Sequence, residues 1–276
     1  MLFMEHHGID PSDSSPIRGL DTGRPHSARV WNYWLGGKDC YKADRMLGDK
    51  VAALVPGIVD SARADRAFLS RAVRYVGGQE GIRQYLDIGT GLPTMDNTHE
   101  VAQRVAPESR VVYVDNDPLV LAHARALLRS TPEGATDYLD ADLRDPEKIL
   151  DAAARTLDFS EPVALMLLAV MHLVTDDEEA YEIVRRLLAA LPSGSHLVLA
   201  HACIDAEPTR TAVRAYNDSG IPTPIKGRSQ SEIAKFFDGL ELVEPGVVSC
   251  PHWRPEPNPW GTPAEVMTFC GVARKP

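Results

Sequence analysis

From residue 84 onward, short runs of apolar residues alternate with stretches of helical periodicity. The runs are nearly continuous in apolar residues, as a strand buried on both faces requires. The predicted strands are Gln84–Ile88, Arg110–Val114, Thr136–Leu139, Pro162–Val170 and Ser195–His201. The predicted helices between them are Asn97–Val105, Pro118–Leu128, Pro146–Thr156 and Asp177–Leu191. Such alternation predicts right-handed βαβ units and therefore a doubly wound α/β fold on a parallel sheet.

The end of the chain continues the sheet. A helical stretch at Ser229–Phe237 precedes two further predicted strands, Leu240–Glu244 and Glu265–Ala273. The last of these reads EVMTFCGVA, which suits an edge strand that closes the sheet. Residues 78–276 are therefore predicted to form one α/β domain.

The beginning of the chain has a different character. Residues 1–25 are rich in Ser, Asp, Pro and Gly and poor in apolar residues, which predicts a flexible arm. Residues 26–77 carry helical spacing and no strand signal; the predicted helices are Ser27–Leu35, Lys42–Leu54 and Ser61–Val76. This segment is predicted to be a helical preamble that packs on the α/β domain as a lid.

Charge and cysteine content exclude several classes of function. The chain has 29 Lys and Arg against 39 Asp and Glu, a net charge of −10, which disfavours a nucleic-acid partner. It has no run of about 18 apolar residues, so no membrane span is expected. The four cysteines form no CxxC pair or Cys/His cluster, so we expect no metal site and a reduced, cytoplasmic protein. The polar start, without a signal-peptide core, agrees with that location.

The most informative segment is a glycine turn after the first predicted strand. There Asp87 and Ile88 lead into Gly89, Thr90 and Gly91. Glycines at a strand-to-helix turn let a ligand approach the backbone, and the following helix would offer free N–H groups to an anion. A dinucleotide fingerprint would have a third glycine where Thr94 stands, so pyrophosphate is disfavoured but not excluded. Asp87 beside the turn would repel pyrophosphate and could orient an ammonium group instead.

The second and third strand ends also carry carboxylates. Asp115, followed by Asn116, lies about 20 residues past the glycine turn, where an acid can accept hydrogen bonds from two ribose hydroxyls. The alternative is a solvated turn residue. Asp142 and Leu143 fit an adenine pocket, in which the acid accepts from the exocyclic amine and the leucine covers the ring. A plain turn capped by the aspartate is the alternative there.

The fourth strand end supplies the remaining candidates on the sheet. Ala169 and Met171 are suited to close contact with a cofactor, and His172 is the first candidate for a general base. Alternatively, Met171 is a core residue and His172 a structural one. His201 and His252 are weaker candidates for the base.

The helical preamble supplies candidates for a lid. Tyr33 and Trp34 stand just before Gly36-Gly37, a candidate hinge, and either ring could cover a cofactor. Arg63 or Arg66 could bind a cofactor carboxylate. Ordinary helix packing and a solvated arginine face are the alternatives.

The four strand ends together resemble the nucleoside-binding core of class I S-adenosylmethionine-dependent methyltransferases, over residues 80–275. The resemblance implies a Rossmann-like seven-stranded sheet whose last strand is antiparallel, with S-adenosylmethionine as cofactor. A more specific resemblance covers residues 24–275 and rests on RPHSARVWNYWLGGKDCYKADR, DRAFLSRAVRYV and GLPTMDNTHEVAQ. These segments are similar to a bacterial S-adenosyl methyltransferase family once classed as a domain of unknown function, and this resemblance implies no particular substrate.

We therefore expect a methyltransferase that uses S-adenosylmethionine on a small-molecule acceptor. A nicotinamide-dependent oxidoreductase on a similar sheet is the first alternative, and Thr94 at the third glycine position argues against it. A non-catalytic nucleoside-binding module is the second alternative. Methyl transfer does not need a catalytic triad, because much of its acceleration comes from alignment and exclusion of water.

Overall fold

The computed structural model describes residues 20–127, 129–219, 221, 223–257, 259 and 261–276. Its helices are α1 Ser27–Trp34, α2 Lys42–Leu54, α3 Ile58–Gly78, α4 Thr98–Val105, α5 Pro118–Leu127, α6 Pro146–Ala153, α7 Asp177–Ala189, α8 Glu207–Asn217 and α9 Gln230–Ala234. Its strands are β1 Gln84–Ile88, β2 Arg110–Asp115, β3 Ala135–Asp140, β4 Ala164–Leu168, β5 His196–Ala202, β6 Glu241–Leu242, β7 Val248–Ser249 and β8 Thr268–Arg274. Of the predicted flexible arm, residues 1–19 lie outside the described residues.

The strands form one mixed sheet in the order β3-β2-β1-β4-β5-β8-β6. The first five are parallel, and β8 runs antiparallel between β5 and β6. The chain order reverses between β1 and β4, and ligands bind at the carboxyl ends of the strands at such a switch point. This confirms the predicted Rossmann-like α/β class with an antiparallel last strand.

In the described part of the chain the sheet has eight strands, where seven were expected. The extra strand arises because the outer edge is split into β6 and β7, which both pair with β8. Pro245 lies between them and has no N–H to donate to a ladder, and Gly246 follows at φ 85°. The two short strands together occupy the seventh position of the sheet.

The predicted helical preamble divides into two parts that pack differently. Helix α3 lies on one face of the sheet, where Phe68, Leu69 and Val76 are buried against the strands. The fully buried ring of Trp253 meets Phe68 edge-on, with 5.3 Å between ring centroids. Helices α1 and α2 instead form a separate apolar cluster with α8, centred on Trp34. By its packing, α3 is thus part of the α/β layer, whereas α1 and α2 lie above it.

A buried group of charges fixes α1 and α2 over the end of β2. Arg29 is 4% exposed and lies 3.7 Å from a carboxylate oxygen of Asp44 and 3.9 Å from one of Asp117. Asp44 also accepts the backbone N–H groups of His26 and Tyr41, at 2.9 and 2.7 Å. Because Asp117 follows β2 directly, these contacts hold both helices against the carboxyl edge of the sheet.

None of the helices in the described ranges has the length and apolar character of a membrane span. The four cysteines are all buried and unpaired.

Candidate functional site

A cavity of about 380 Å³ opens at the carboxyl ends of β1, β2 and β4. Helices α1 and α2 cover it, and α3 and α8 form its sides. Its size lies within the range of roughly 300–1,000 Å³ found for small-molecule sites. Its position is the one that the reversal of strand order predicts for a ligand.

The glycine turn forms the floor of the cavity at the end of β1. Gly89 and Gly91 have φ of 75° and 64°, a left-handed conformation that favours glycine. A Cβ atom at Gly89 would collide with the side chain of Val170, which follows β4. The glycine therefore permits close contact between two strand ends, and Thr90 also lines the cavity.

Asp115 is fixed at the end of β2 by two backbone groups. One carboxylate oxygen accepts the N–H of Gly91 at 2.9 Å, and the other accepts the N–H of Asp117 at 2.9 Å. Burial raises the pKa of Asp115, with a smaller opposing effect from these hydrogen bonds. Each oxygen has a second lone pair, so a rigidly held acceptor pair faces the cavity beside Asn116, which lies on its rim.

The ends of β3 and β4 bring the adenine-pocket candidates to the same cavity. Leu143 is buried at its wall, and Asp142 is exposed at its edge, where one oxygen accepts the N–H of Arg144 at 2.9 Å. Ala169 takes a left-handed φ of 51° and donates its N–H to Ala200 at 3.0 Å. The backbone changes direction at Ala169, just after β4, and the residue presents only a methyl group to the cavity.

Asp87 lies inside the cavity wall at the end of β1. It is 5% exposed and accepts the Thr98 hydroxyl at 2.6 Å, and burial raises its pKa to about 6. The start of α4 is already occupied, because Asn97 and Glu100 form a capping box and the N–H of His99 donates to the Tyr113 hydroxyl at 2.8 Å. The expected anion site at this helix start is therefore satisfied by the protein's own groups.

A second buried carboxylate, Asp65 of α3, faces the same cavity. It is 5% exposed, and its Oδ1 has no hydrogen-bond partner among the described residues. Burial raises its pKa to about 7, with the charge of Asp87 adding to the effect. Its neighbour Arg66 also lines the cavity and donates to the Asn97 side chain at 3.0 Å and to the Met95 carbonyl at 3.3 Å.

Asp65 was not among the site residues predicted from the sequence, although its position on helix α3 marks it as unusual. It interrupts the apolar helical face of Ala62, Phe68, Leu69 and Ala72, all of which are buried. An acid on an otherwise apolar helix face is a candidate for a buried functional group.

His172 lines the cavity after β4. Burial lowers the pKa of its imidazole to about 4, helped by the charge of Arg228, so the ring is neutral at pH 7. Its Nδ1 is buried without a partner in the described part of the chain. Behind it, His201 accepts a hydrogen bond from the fully buried Arg228 at 2.8 Å, which fits a structural role for His201.

Three of the predicted cofactor-binding residues do not line the cavity, and neither do His201 and His252, the weaker candidates for the base. The Tyr33 hydroxyl donates to Asp49 at 2.6 Å on the outside of α1, and Trp34 lines the cavity in its place. Arg63 is largely exposed and lies 3.8 Å from Asp60, while Arg66 lines the cavity.

The third is Met171, whose side chain is fully buried in the core beneath the site. The reason is local. Residues 171–173 form a 3-10 turn after β4, which directs Met171 inward and leaves His172 at the cavity.

The charge of the cavity wall favours a cation. Four aspartates line it, namely Asp65, Asp87, Asp115 and Asp142, against two arginines, Arg66 and Arg144. Arg144 already contacts Asp142 and Glu179, each at 3.5 Å. A ligand with positive charge gains from this surplus, and a pyrophosphate would be repelled. Within the described residues, no three His, Cys, Asp or Glu side chains come together as metal ligands.

Comparison with known proteins agrees with this geometry. A family model described as S-adenosyl methyltransferase matches residues 13–276. A DUF574 family protein from Streptomyces avermitilis is 46% identical, with a TM-score of 0.88 over 93% of this chain and 99% of that one. A candidate methyltransferase from Thermobifida fusca is 42% identical, with a TM-score of 0.85 over 94% of this chain and 98% of that one.

More distant structures share the fold alone. The mitomycin 7-O-methyltransferase MmcR is 18% identical, with a TM-score of 0.51 over 79% of this chain and 57% of that one. Among curated proteins, none matches this chain.

Proposed function

We propose that this chain, which belongs to the S-adenosyl methyltransferase family and is thus an S-adenosylmethionine-dependent methyltransferase, acts on a small-molecule acceptor. The observation that carries the proposal is the fixed carboxylate of Asp115 at the switch point of the sheet, inside a covered cavity of about 380 Å³. A covered cavity of this size suits a nucleoside cofactor and a small partner, and not a folded macromolecule.

The nucleoside end of S-adenosylmethionine is assigned to the ends of β2 and β3. The two oxygens of Asp115 accept the ribose hydroxyls, because the backbone N–H groups of Gly91 and Asp117 leave one lone pair on each. Leu143 covers one face of the adenine ring, and Asp142 accepts from its exocyclic amine.

The amino-acid end is assigned to the end of β1 and to α3. Asp87 orients the ammonium group across the glycine turn, where Gly89, Thr90 and Gly91 leave the backbone open to a ligand. Arg66 binds the carboxylate, the role that the sequence also allowed for Arg63. Ala169 provides the space for the chain that joins the two ends.

When bound, the cofactor supplies an electrophilic methyl group on a positively charged sulfur. The protein's own contribution is alignment of the acceptor and exclusion of water, which together can supply ~7–11 kcal/mol of a displacement barrier. Helices α1 and α2 exclude water, since they are fixed over the site by Arg29 and Asp44. His172 presents a neutral imidazole that can accept a hydrogen bond or a proton from the acceptor.

The nicotinamide alternative is weakened by three features of the site. Thr94 replaces the third glycine, the start of α4 is capped by its own residues, and the wall carries an excess of carboxylates. The non-catalytic alternative differs in turnover and not in cofactor binding. A cytoplasmic location, a bacterial origin and the absence of a nucleic-acid partner stay predictions from the sequence.

Calorimetric titration tests the proposal directly. Wild-type protein is expected to bind S-adenosylmethionine and S-adenosylhomocysteine, and not NAD. Asp115→Ala should raise both dissociation constants about 10- to 100-fold, because hydrogen bonds to a charged group are lost. Asp151→Ala, on the exposed surface of α6, is the matched control and should change neither. Unchanged affinity in Asp115→Ala, or binding of NAD in preference to both nucleosides, would overturn the assignment.

A further inference from the structure

The part of the cavity lined by α1, α2, the start of α3 and α8 is largely apolar. Its walls are the side chains of Trp34, Val51, Ile58, Ala212, Tyr216 and Ile225, which define what we call the helical chamber. Trp34, Val51 and Tyr216 belong to one apolar cluster that joins α1, α2 and α8, and Ile58 and Ile225 pack against it. The two ends of the cofactor are assigned to the strand ends and to Arg66 of α3, so the chamber is left for the acceptor.

Several polar atoms that line the cavity are buried without a hydrogen-bond partner in the ranges that the structure describes. Besides His26 Nδ1 and Asn32 Oδ1 on the α1 side, they are Thr209 Oγ1, His172 Nδ1 and Asp65 Oδ1. Thr209 is 2% exposed and Asp65 is 5% exposed. Buried polar atoms are normally hydrogen-bonded, so several such atoms around one cavity point to a ligand that pairs with them.

The position of Thr209 strengthens this reading. Thr209, Ala212, Val213 and Tyr216 lie at positions i, i+3, i+4 and i+7 of α8 and line the cavity together. A valine would fill the same volume on this face without burying a hydroxyl. Packing alone does not require the Thr209 hydroxyl, so we infer that it forms a hydrogen bond with a ligand.

The charges around the helical chamber exclude an anionic ligand. Among the described residues that line the cavity, Arg66 and Arg144 are the arginines, and both lie beside strand ends with protein partners of their own. No Lys or Arg of the described chain lines the chamber itself. Asp65 lines the same cavity and interacts electrostatically with Asp87, the residue assigned to the ammonium group of the cofactor. A carboxylate or phosphate on the acceptor would find no cation there and would be repelled by Asp65.

We propose that the helical chamber binds an apolar, ring-containing acceptor without negative charge, whose hydroxyl or amine hydrogen-bonds to Thr209, His172 and Asp65. This inference rests on the proposed function, since it places the acceptor opposite the cofactor. It names the class of acceptor, which family membership alone does not supply. The aromatic rings of Trp34 and Tyr216 suit an aromatic partner in particular.

The test uses full-length protein saturated with S-adenosylhomocysteine and two probes that share one ring system. At pH 7.5, 2-naphthol is a neutral ring with a hydroxyl, and 2-naphthoate carries a carboxylate instead. We expect saturable binding of 2-naphthol in calorimetry, with 2-naphthoate at least tenfold weaker. Equal or stronger binding of 2-naphthoate, or no saturable binding of 2-naphthol, would overturn the proposal.

Variants of α8 locate the binding site. Ala212→Phe fills the helical chamber and should abolish 2-naphthol binding, whereas Ala215→Phe, on the same helix but outside the cavity, should leave it unchanged. Thr209→Val keeps the shape and should weaken 2-naphthol five- to tenfold, with no effect on S-adenosylhomocysteine. Thermal unfolding checks that each variant is folded. If Ala212→Phe does not fold, the result for Thr209→Val decides the test.

The outcomes separate this inference from the proposed function. If S-adenosylhomocysteine does not bind, the proposed cofactor site fails, and 2-naphthol titrated into the protein alone still tests the helical chamber. If S-adenosylhomocysteine binds but 2-naphthol binds equally well to wild type and to Ala212→Phe, the chamber assignment fails alone.

Discussion

Replacing Asp65 by asparagine should make the ligand-free protein more stable at pH 8. At that pH the wild-type carboxylate is charged and buried, and its Oδ1 has no hydrogen-bond partner among the described residues. Burial is the main cause of this cost; the opposing effect of Arg66 is larger than the repulsion from Asp87 but offsets only part of the effect of burial. Asparagine keeps the shape of the side chain and removes the charge, so the native state no longer bears this cost.

The magnitude follows from the pKa of Asp65. Raising it from 3.8 to about 7 corresponds to ~4 kcal/mol, at about 1.36 kcal/mol per pKa unit. A buried amide without full hydrogen bonding costs ~1 kcal/mol, which leaves a gain of about 3 kcal/mol for Asp65→Asn. For a chain of this size that is an increase in Tm of roughly 6–12 °C.

The sign with pH is fixed by linkage. The folded state holds the Asp65 proton more tightly than the unfolded state, so the wild type is most stable relative to the variant below pH 4. This contribution of Asp65 to the free energy of unfolding is lost progressively as the pH rises from about 4 to the folded pKa of about 7. The advantage of Asp65→Asn should therefore be complete at pH 8 and close to zero or reversed at pH 4.

Urea unfolding of ligand-free protein at pH 4, 5, 6, 7 and 8 measures this difference. Asp60→Asn is the matched control, because Asp60 lies on the same helix but is 71% exposed, and it should change the free energy of unfolding by less than about 0.5 kcal/mol at every pH. A stability difference between wild type and Asp65→Asn that does not change with pH would refute the reasoning. So would a variant that is less stable at pH 8.

Three further predictions concern the lid, the turn and the cofactor. Asp44→Ala removes the nearer of the two carboxylates beside buried Arg29 and the acceptor of two backbone N–H groups, and should lower the free energy of unfolding by ~3–5 kcal/mol. The exposed Asp49→Ala should have little effect in the same urea titration. Gly89→Ala should abolish cofactor binding in calorimetry, because its Cβ meets a neighbouring side chain, and Gly91→Ala, with open space around it, should have the smaller effect. Affinity for S-adenosylmethionine should increase between pH 5.5 and 7.5, because Asp65 and Asp87 lose their protons over that range and their negative charge attracts the cationic cofactor. Equal affinity across that range would contradict this attraction.

The central sheet could be predicted because its strands are buried on both faces and therefore read as continuous apolar runs. Ala164–Leu168 is such a strand, buried at every position. The outer edge could not be predicted as well. Glu241–Leu242 is exposed throughout, so its pairing depends on the neighbouring strand and on where Pro245 interrupts the ladder, and not on an apolar pattern.

Candidates on strand ends were easier to place than candidates on helices. A residue that follows a buried parallel strand must lie at the carboxyl edge of the sheet, which is why Asp115 could be assigned from the sequence. Adjacent residues on a helix point about 100° apart, so the choice between Tyr33 and Trp34 depends on which face meets the sheet. The same holds for Arg63 and Arg66: which of the two faces the cavity depends on how α3 packs on the sheet.

On the proposed assignment of the cofactor, the acidic wall also bears on the exchange of spent cofactor for fresh cofactor. Methyl transfer turns a positively charged sulfonium into a neutral thioether, while the carboxylates of Asp65, Asp87 and Asp115 stay in place. The attraction between wall and cofactor is therefore stronger before transfer than after it, and the difference is larger for the buried carboxylates because water screens them less. An apolar acceptor without negative charge is consistent with the same arrangement, since it brings no second anion to the carboxylates. The surplus of acid that argued against nucleic acid in the sequence thus acts locally, by favouring the charged form of the cofactor over the spent one.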